Sequence, residues 1–145
     1  LTFKKTRPEI VTDRLRERAV LAAEKGKALF IAQRSINRLR EKVNSGVFFQ
    51  PFIYEEKKKQ AQLFKDAGYA EEAIERAPYV AQYAEVAGIG LREAADDILL
   101  HAQLFEEVLL KTENVRLALY RKIKRARTGE EVQSILREFR AEGIA

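Results

Sequence analysis

The fold of this chain is decided by residues 91–126, which read LREAADDILLHAQLFEEVLLKTENVRLALYRKIKRA. Apolar or small side chains recur there in alternating steps of four and three, with a charged interruption at Arg116. Such steps hold one side of an α-helix towards a partner. At about 1.5 Å per residue the helix would be roughly 54 Å long. We predict that its stripe is buried along most of its length. We also predict that Arg116 pairs with a carboxylate or with helix-end carbonyls, because an unpaired charge in an apolar seam is costly. The acidic candidates lie in the middle of the chain, such as Asp66, Glu71, Glu72 or Glu75. The stripe consists of Leu91, Ala95, Ile98, Ala102, Phe105, Leu109, Thr112, Arg116, Leu119, Ile123 and Ala126.

A second, weaker stripe lies near the beginning of the chain. It starts at Val11 and Leu15, is interrupted at Arg18 and Lys25, and becomes regular over residues 29–43. The interruptions prevent the first part of this helix from burying a complete apolar face in a small domain. We therefore expect residues 1–25 to project from the bundle and to gain order on another subunit or protein.

Proline and glycine mark the ends of the predicted helices. Pro8 suits the first turn of a helix over residues 8–43, and Gly46 can supply its left-handed cap. A non-periodic connector over residues 47–54 leads to a helix over 53–67, an extra turn over 69–76 and a helix over 79–87. Thr128 and Glu131 form a capping-box pattern before the last helix.

The fold class that follows is all-α. We predict an elongated helical bundle with two long helices, at about residues 8–43 and 91–127, and shorter helices between and after them. Seven glycines and three prolines leave little sequence for turns, which agrees with few and long elements. We predict two parts, a basic arm with a long helix over residues 1–50 and a helical bundle domain over residues 51–145.

Charge is distributed unevenly along the chain. Residues 1–50 carry a balance of +7, residues 51–115 a balance of −6, and residues 116–145 a balance of +4. Basic ends around an acidic middle can pair within one chain or steer subunits and partners together. No apolar run is long enough to span a membrane.

The sequence offers little for catalysis. The single histidine, His101, follows Asp97 by four residues, a spacing that is typical of a surface pair. Cysteine is absent, and the serines lack the strand-turn-helix setting of a nucleophile. The carboxylates within residues 96–113 lack the Glu-x-x-His pattern of di-iron bundles, and Gly88-Ile89-Gly90 lacks the other glycines of a phosphate loop. We predict that the chain is not an enzyme and holds no cofactor or metal.

Five cations near the C-terminus form a candidate anion-binding segment. They are Arg121, Lys122, Lys124, Arg125 and Arg127. With a turn at Thr128-Gly129, the last two helices resemble a helix-turn-helix. The helix that would read DNA opens with Glu130 and Glu131, and it carries few groups suited to base edges. A solvated face or an acidic protein partner is therefore favoured, and nucleic-acid binding stays an alternative.

Two further groups are candidates for contact with a partner protein. One belongs to the aromatic connector and the other to the basic side of the first helix. Their members are Phe48, Phe49, Phe52 and Tyr54 in the connector and Arg14, Arg18 and Lys25 in the helix. The aromatic rings either fold over the chain's own helices or anchor a neighbour, as aromatic residues do in interfaces. The basic group would favour an acidic surface.

From Tyr54 onward the sequence resembles a helical region of tailed-bacteriophage virion proteins that are associated with the tail or tail fibre. The shared pattern is an aromatic residue before a polar helix, a helix opened by proline, a glycine turn and a long helix rich in alanine and leucine. It is carried by Tyr54, Gln60-Ala61, Pro78, Ala84, Gly88-Ile89-Gly90-Leu91, Ala94-Ala95, Ile98-Leu99, Phe105 and Arg116. Residues 1–50 have no counterpart in that pattern.

The resemblance implies a phage structural protein without catalytic activity, at the tail, the baseplate or the fibre attachment. We expect its place to be the virion, assembled in the host cytoplasm. Its partners would be other virion proteins and copies of itself, and not a nucleic acid, a membrane or a small-molecule substrate. Two alternatives remain: a tail or tail-fibre assembly chaperone that is not retained in the virion, and a small nucleic-acid-binding protein.

Overall fold

A computed structural model describes residues 3–141, and for Phe48, Phe49 and Ala141 it describes the backbone alone. This range contains six α-helices, one 3-10 helix and no strand. The elements are α1 (Arg7–Val43), α2 (Ser45–Phe49), α3 (Pro51–Asp66), the 3-10 helix (Glu71–Arg76), α4 (Pro78–Ala87), α5 (Leu91–Arg125) and α6 (Gly129–Ala141). The predicted all-α helical bundle with two long helices is confirmed.

Most helix ends lie where proline and glycine predicted them. Pro78 occupies the first position of α4 as predicted, where a missing N–H costs nothing; Pro51 has the same place in α3, although it was predicted to lie in the connector. After these helices the chain turns through the left-handed region, with φ 70° at Gly68 and 69° at Gly88. Glycine adopts this conformation without the steric cost that a Cβ brings.

The junction between α1 and α3 differs from the prediction. Asn44 interrupts the helix in an extended conformation, and its Oδ1 accepts a hydrogen bond from the backbone amide of Val47 at 3.2 Å. Asparagine is a strong N-cap, so a new helix, α2, starts at once. Gly46 lies inside α2, and the prediction that it caps α1 in the left-handed region was wrong. The connector predicted over residues 47–54 is mostly helical, and α3 begins at Pro51 rather than at residue 53.

By their contacts the described residues form two compact units, to which α1 and α5 both contribute. The terminal unit comprises residues 3–38 and 112–141, and the central unit comprises residues 39–111. The predicted division into residues 1–50 and 51–145 concerns independent folding rather than contacts, and it stays a prediction. None of the helices in residues 3–141 combines the length and apolarity needed to cross a membrane.

The terminal unit packs three helical segments together: the later part of α1, the later part of α5, and α6. Its buried side chains form two neighbouring clusters. One consists of Ala28, Ile123, Ala126, Val132 and Leu136, and the other of Ala32, Ile36, Leu119 and Phe139. Ala28 and Ala32 let the backbone of α1 approach, while Ile36 of α1 and the larger residues of the other two segments fill the core. Burying each large side chain contributes about 1.5–3 kcal/mol.

The central unit has a core rich in alanine. Its members come from α3, the 3-10 helix, α4 and the first part of α5, and they are Ala61, Phe64, Ala73, Ala77, Val80, Ala84, Ala94, Ala95 and Ile98. Tyr69 packs at the edge of this core, and its own backbone is in the left-handed region with φ 58°. Its ring meets Phe64 edge-on at 5.7 Å, Arg92 lies 4.7 Å from the ring centre, and its hydroxyl donates to Asp96. That hydrogen bond raises the pKa of Tyr69.

The heptad stripe of α5 is buried along most of its length, as predicted. All of its members are buried except Leu91, Leu109 and Arg116, which are half-buried. Arg116 finds the carboxylate that its position required, but on its own helix. Its Nε and Nη2 donate to Glu113 at 2.9 and 2.6 Å. Glu113 belongs to the acidic middle segment, as predicted, but the candidates Asp66 and Glu71 were wrong, because the acid three residues earlier on the same helix is within direct reach.

The first helix begins to pack against the core of the terminal unit at Leu21. Every side chain from Pro8 to Val20 is exposed except the half-buried Asp13. Leu21 then packs against the core of the terminal unit, and Ala28 is fully buried within it. The expectation that residues 1–25 project was therefore wrong for residues 21–25, because Leu21 and Lys25 already contact the other helices of this unit.

Candidate functional site

The turn between α5 and α6 is held by two neighbouring residues of α1. The Lys25 ammonium donates to the backbone carbonyl of Lys124 at 2.8 Å, at the end of α5. The last carbonyls of a helix lack partners in the helix, and a cation there is stabilised by the helix dipole. Lys25 was predicted to contact a partner protein; in the structure its ammonium is used within the chain.

Glu24 lies on the other side of the same turn, beside the N-terminus of α6. Its carboxylate approaches Gly129 so closely that a Cβ at this position would collide with it. Glu24 Oε2 is buried without a hydrogen-bond partner in the described part of the chain. The partial positive charge of a helix N-terminus favours a carboxylate there. Glu24 and Lys25 thus match their charges to the two helix ends that meet at this turn.

The turn itself is fixed by the predicted cap. Thr128 Oγ1 accepts a hydrogen bond from the amide of Glu131 at 3.2 Å, and Glu131 Oε2 accepts one from the amide of Arg127 at 2.7 Å. This arrangement is close to a capping box, although the returning carboxylate bonds one residue earlier than usual. It orders the backbone of Arg127 and leaves its side chain exposed.

These contacts create a groove of about 540 Å³ in the terminal unit, which we call the arginine groove. It is lined by residues 14–24 of α1 and residues 127–129 of the turn. Its charged and apolar lining residues are Arg14, Arg16, Arg18, Arg127, Glu17, Glu24, Val20 and Leu21. The structure therefore brings together Arg14 and Arg18, which were predicted to bind a partner, and Arg127, which was predicted to bind an anion.

The other four cations of the basic segment do not line this groove. Arg121, Lys122, Lys124 and Arg125 are exposed on the last turns of α5. Lys124 lies 5.3 Å from the centre of the Tyr120 ring, a cation–π contact.

The aromatic connector is divided between two roles. Tyr54 is half-buried in the central unit, where its hydroxyl donates to the carbonyl of Ala102 at 3.3 Å and its ring meets Phe105 edge-on at 6.0 Å. Burial raises the pKa of Tyr54, and the nearby Glu106 carboxylate adds to this effect. Phe52 is 74% exposed and is free to contact a neighbour. The side chains of Phe48 and Phe49 lie outside the described residues.

A smaller cavity, of about 210 Å³, lies in the central unit. Its lining includes His101, Lys57, Tyr54 and Tyr83, and none of its described lining residues is a carboxylate. The volume is below the roughly 300–1,000 Å³ of most ligand pockets. Among residues 3–141, no three His, Asp or Glu side chains converge as metal ligands would. The arginine groove is therefore the better candidate for a functional site.

Sequence reasoning missed the roles of Glu17 and Glu24 in this groove. A signal for Glu24 was present in the adjacent Glu24-Lys25 pair, whose opposite charges suit the two ends of a helix turn. It could not be used without knowing that the turn, about a hundred positions later, lies against it. Comparison with protein-family models, curated proteins and solved structures gives no match for this chain.

Proposed function

We propose that this chain is a non-enzymatic structural protein of a bacteriophage virion that works through helix–helix assembly. A tail, baseplate or fibre-attachment connector is the role that the resemblance from Tyr54 onward favours. Other virion proteins and copies of the chain are its proposed partners, and the virion is its proposed place.

The observation that supports an assembly role is the exposed first part of α1. Val11, Leu15 and Val20 expose 51, 60 and 54% of their surface on a regular helix, and Ile10 exposes 39%. A surface helix normally turns such residues towards a core. Here the helix continues beyond the part that the terminal unit buries, so these apolar side chains are available to another helix.

The arginines beside this apolar surface support a protein partner with acidic groups. Arg14 and Arg18 are separated by one helix turn and flank Leu15. Charged residues around an apolar centre are the usual composition of an interface rim and core. Such charges mainly set the rate and the specificity of association.

The test is mass spectrometry of purified phage particles whose genome encodes the chain. We expect the chain at a fixed ratio to other tail proteins. A variant lacking residues 1–20 should keep its fold, because packing begins at Leu21, but should fail to enter particles. A control with alanine at Gln133, Arg137 and Glu138 instead, which are exposed positions of α6 beyond its cap, should enter normally.

The outcome also separates the alternatives. A chain that is required for particle assembly but absent from finished particles would be the assembly chaperone. Normal incorporation of the variant lacking residues 1–20 would contradict the role given to the first part of α1.

Nucleic-acid binding is a second candidate, which the exposed cations at the end of α5 favour. Arg121, Lys122, Arg125 and Arg127 all have exposed side chains. Phosphate contacts give an affinity that falls steeply with salt. A gel shift that is salt-dependent and is lost when these four residues are changed to glutamine would support it; the absence of a shift at low salt would exclude it.

A further inference from the structure

One face of α1 carries arginines around an apolar pair. Arg7, Val11, Arg14 and Arg18 follow one another in steps of four, three and four, and Leu15 lies beside them. Such steps place all of them on one side of the helix. All five side chains are exposed. This surface, the basic face, leads directly into the arginine groove, because Arg14 and Arg18 belong to both.

A face of α5 in the central unit has the opposite charge and the same layout. Glu93, Asp97, Leu100, Leu104 and Glu107 follow in steps of four, three, four and three. Leu100 and Leu104 expose 52 and 49% of their surface, and the two glutamates are exposed. This surface, the acidic face, therefore presents two leucines between carboxylates on the side of α5 opposite its buried stripe.

The two faces match in spacing as well as in charge. Val11 and Leu15 are four residues apart, as are Leu100 and Leu104, so each pair spans about 6 Å along its helix. Arginines flank the first pair and carboxylates flank the second. Two helices packed along these lines would bury both apolar pairs and place opposite charges together at the ends.

We propose that the basic face of one copy of this chain binds the acidic face of a second copy. The proposal deepens the proposed structural function and rests on it. Because the interface joins two different surfaces, one copy of a dimer keeps its acidic face unused and the other keeps its basic face, so association can continue beyond a dimer.

The arginine groove suits a protein surface better than a phosphate backbone. Glu17 and Glu24 line it together with the arginines, and both would repel a continuous run of phosphates. Val20 and Leu21 supply apolar surface that phosphate does not use. A helix that presents leucines and a few carboxylates can satisfy the apolar and the basic groups at once.

The test uses sedimentation velocity on the full chain and two charge-reversed variants. The basic-face variant carries Arg14→Glu with Arg18→Glu, and the acidic-face variant carries Glu93→Lys with Glu107→Lys. We expect the unchanged chain to associate at roughly 0.1–1 mM, because one apolar pair from each helix, flanked by charges, makes a small and therefore weak interface. Added salt should weaken that association by more than about tenfold. Each variant alone should be monomeric, and an equal mixture of the two should associate again, because each retains the face that the other has lost.

Arg34→Glu with Arg38→Glu is the matched control. These arginines are also exposed, lie four residues apart on α1 and change the net charge equally. They do not belong to the basic face, so this variant should associate like the unchanged chain. Circular dichroism should show the same helix content for all variants.

Three results would overturn the proposal. The unchanged chain could stay monomeric at about 1 mM in low salt, or the mixture of variants could fail to associate. The basic-face variant could also lose oligonucleotide binding while its self-association is unchanged, which would assign the groove to phosphate. If the chain is monomeric but is found in particles, the proposed function stands and this inference is wrong. If the chain self-associates but is absent from particles, this inference stands and the proposed function is wrong.

Discussion

The two parts of α1 lie on one continuous helix but differ in what their shared face contacts. After Leu21 that face carries Ala28, Ala32 and Ile36, which are buried against α5 and α6. Before Leu21 the same face carries Arg14 and Arg18, which are exposed. Small and apolar side chains allow helices to approach, whereas arginine is almost never fully buried without a partner.

The comparison shows how a helix can extend beyond its own core. Local hydrogen bonds support the first turns of α1 where no packing does. The amide of Thr6 donates to Glu9 Oε2 at 2.6 Å, and Lys5 pairs with Asp13. Contacts of this kind make the free end helical before any partner arrives, and they reduce the entropy that binding must overcome.

The largest effect should come from removing a buried side chain in the later part of α1. Ile36 is fully buried, so Ile36→Ala should lower the free energy of unfolding by about 2–5 kcal/mol. Leu15→Ala removes a similar side chain from the exposed part and should change it by less than about 0.5 kcal/mol. Urea denaturation of dilute protein measures both. Equal losses would show that the two parts of α1 are packed alike.

A smaller effect should follow from breaking the contact between α1 and the end of α5. Lys25→Met removes the hydrogen bond to the carbonyl of Lys124 and keeps most of the apolar stem. We expect a loss of about 1 kcal/mol in the free energy of unfolding. Lys27→Met is the control, because Lys27 is exposed and two residues away. If Lys25→Met were as harmless as Lys27→Met, the turn would not depend on α1.

The smallest effect concerns pH and is confined to the exposed part of α1. The hydrogen bond from the Thr6 amide lowers the pKa of Glu9 below its ordinary 4.5. The bond therefore stabilises the helix end fully at a pH above 4.5, and this stabilisation is lost as the pH falls through the lowered pKa. The carbon chemical shifts of residues 7–14 should then lose helical character, while those of residues 28–38 stay unchanged. Glu9→Gln should weaken the same turns already at neutral pH. A simultaneous change in both parts would contradict the separation.

Local sequence signals predicted most of the helices. Pro78, Gly88 and the Thr128–Glu131 cap act over a few residues, so their effects could be deduced without knowing the fold. The error at Asn44 and Gly46 arose between two local signals, since asparagine capped a new helix before glycine could end the old one. The candidate acids named for Arg116 were wrong for a related reason, because the nearby Glu113 competes with any distant carboxylate.

The candidate site could be predicted only in part. Arg18 was recognisable as a charge that interrupts an apolar stripe, Arg14 as a cation one helix turn before it, and Arg127 as part of a basic run. Their meeting in one groove depends on packing between the later part of α1 and α6, which no short pattern encodes. The contact from Lys25 to Lys124 crosses 99 positions, so a residue that looked free in the sequence is engaged in the structure.

Hydrogen exchange along α1 tests the difference between its two parts most directly. In the dilute, monomeric chain, amides of residues 8–20 should exchange much faster than those of residues 26–38, because only the later part is held by tertiary packing. On self-association or incorporation into particles, residues 8–20 should gain protection while residues 26–38 change little. Equal protection of the two parts in the monomer, or no gain on assembly, would contradict the account.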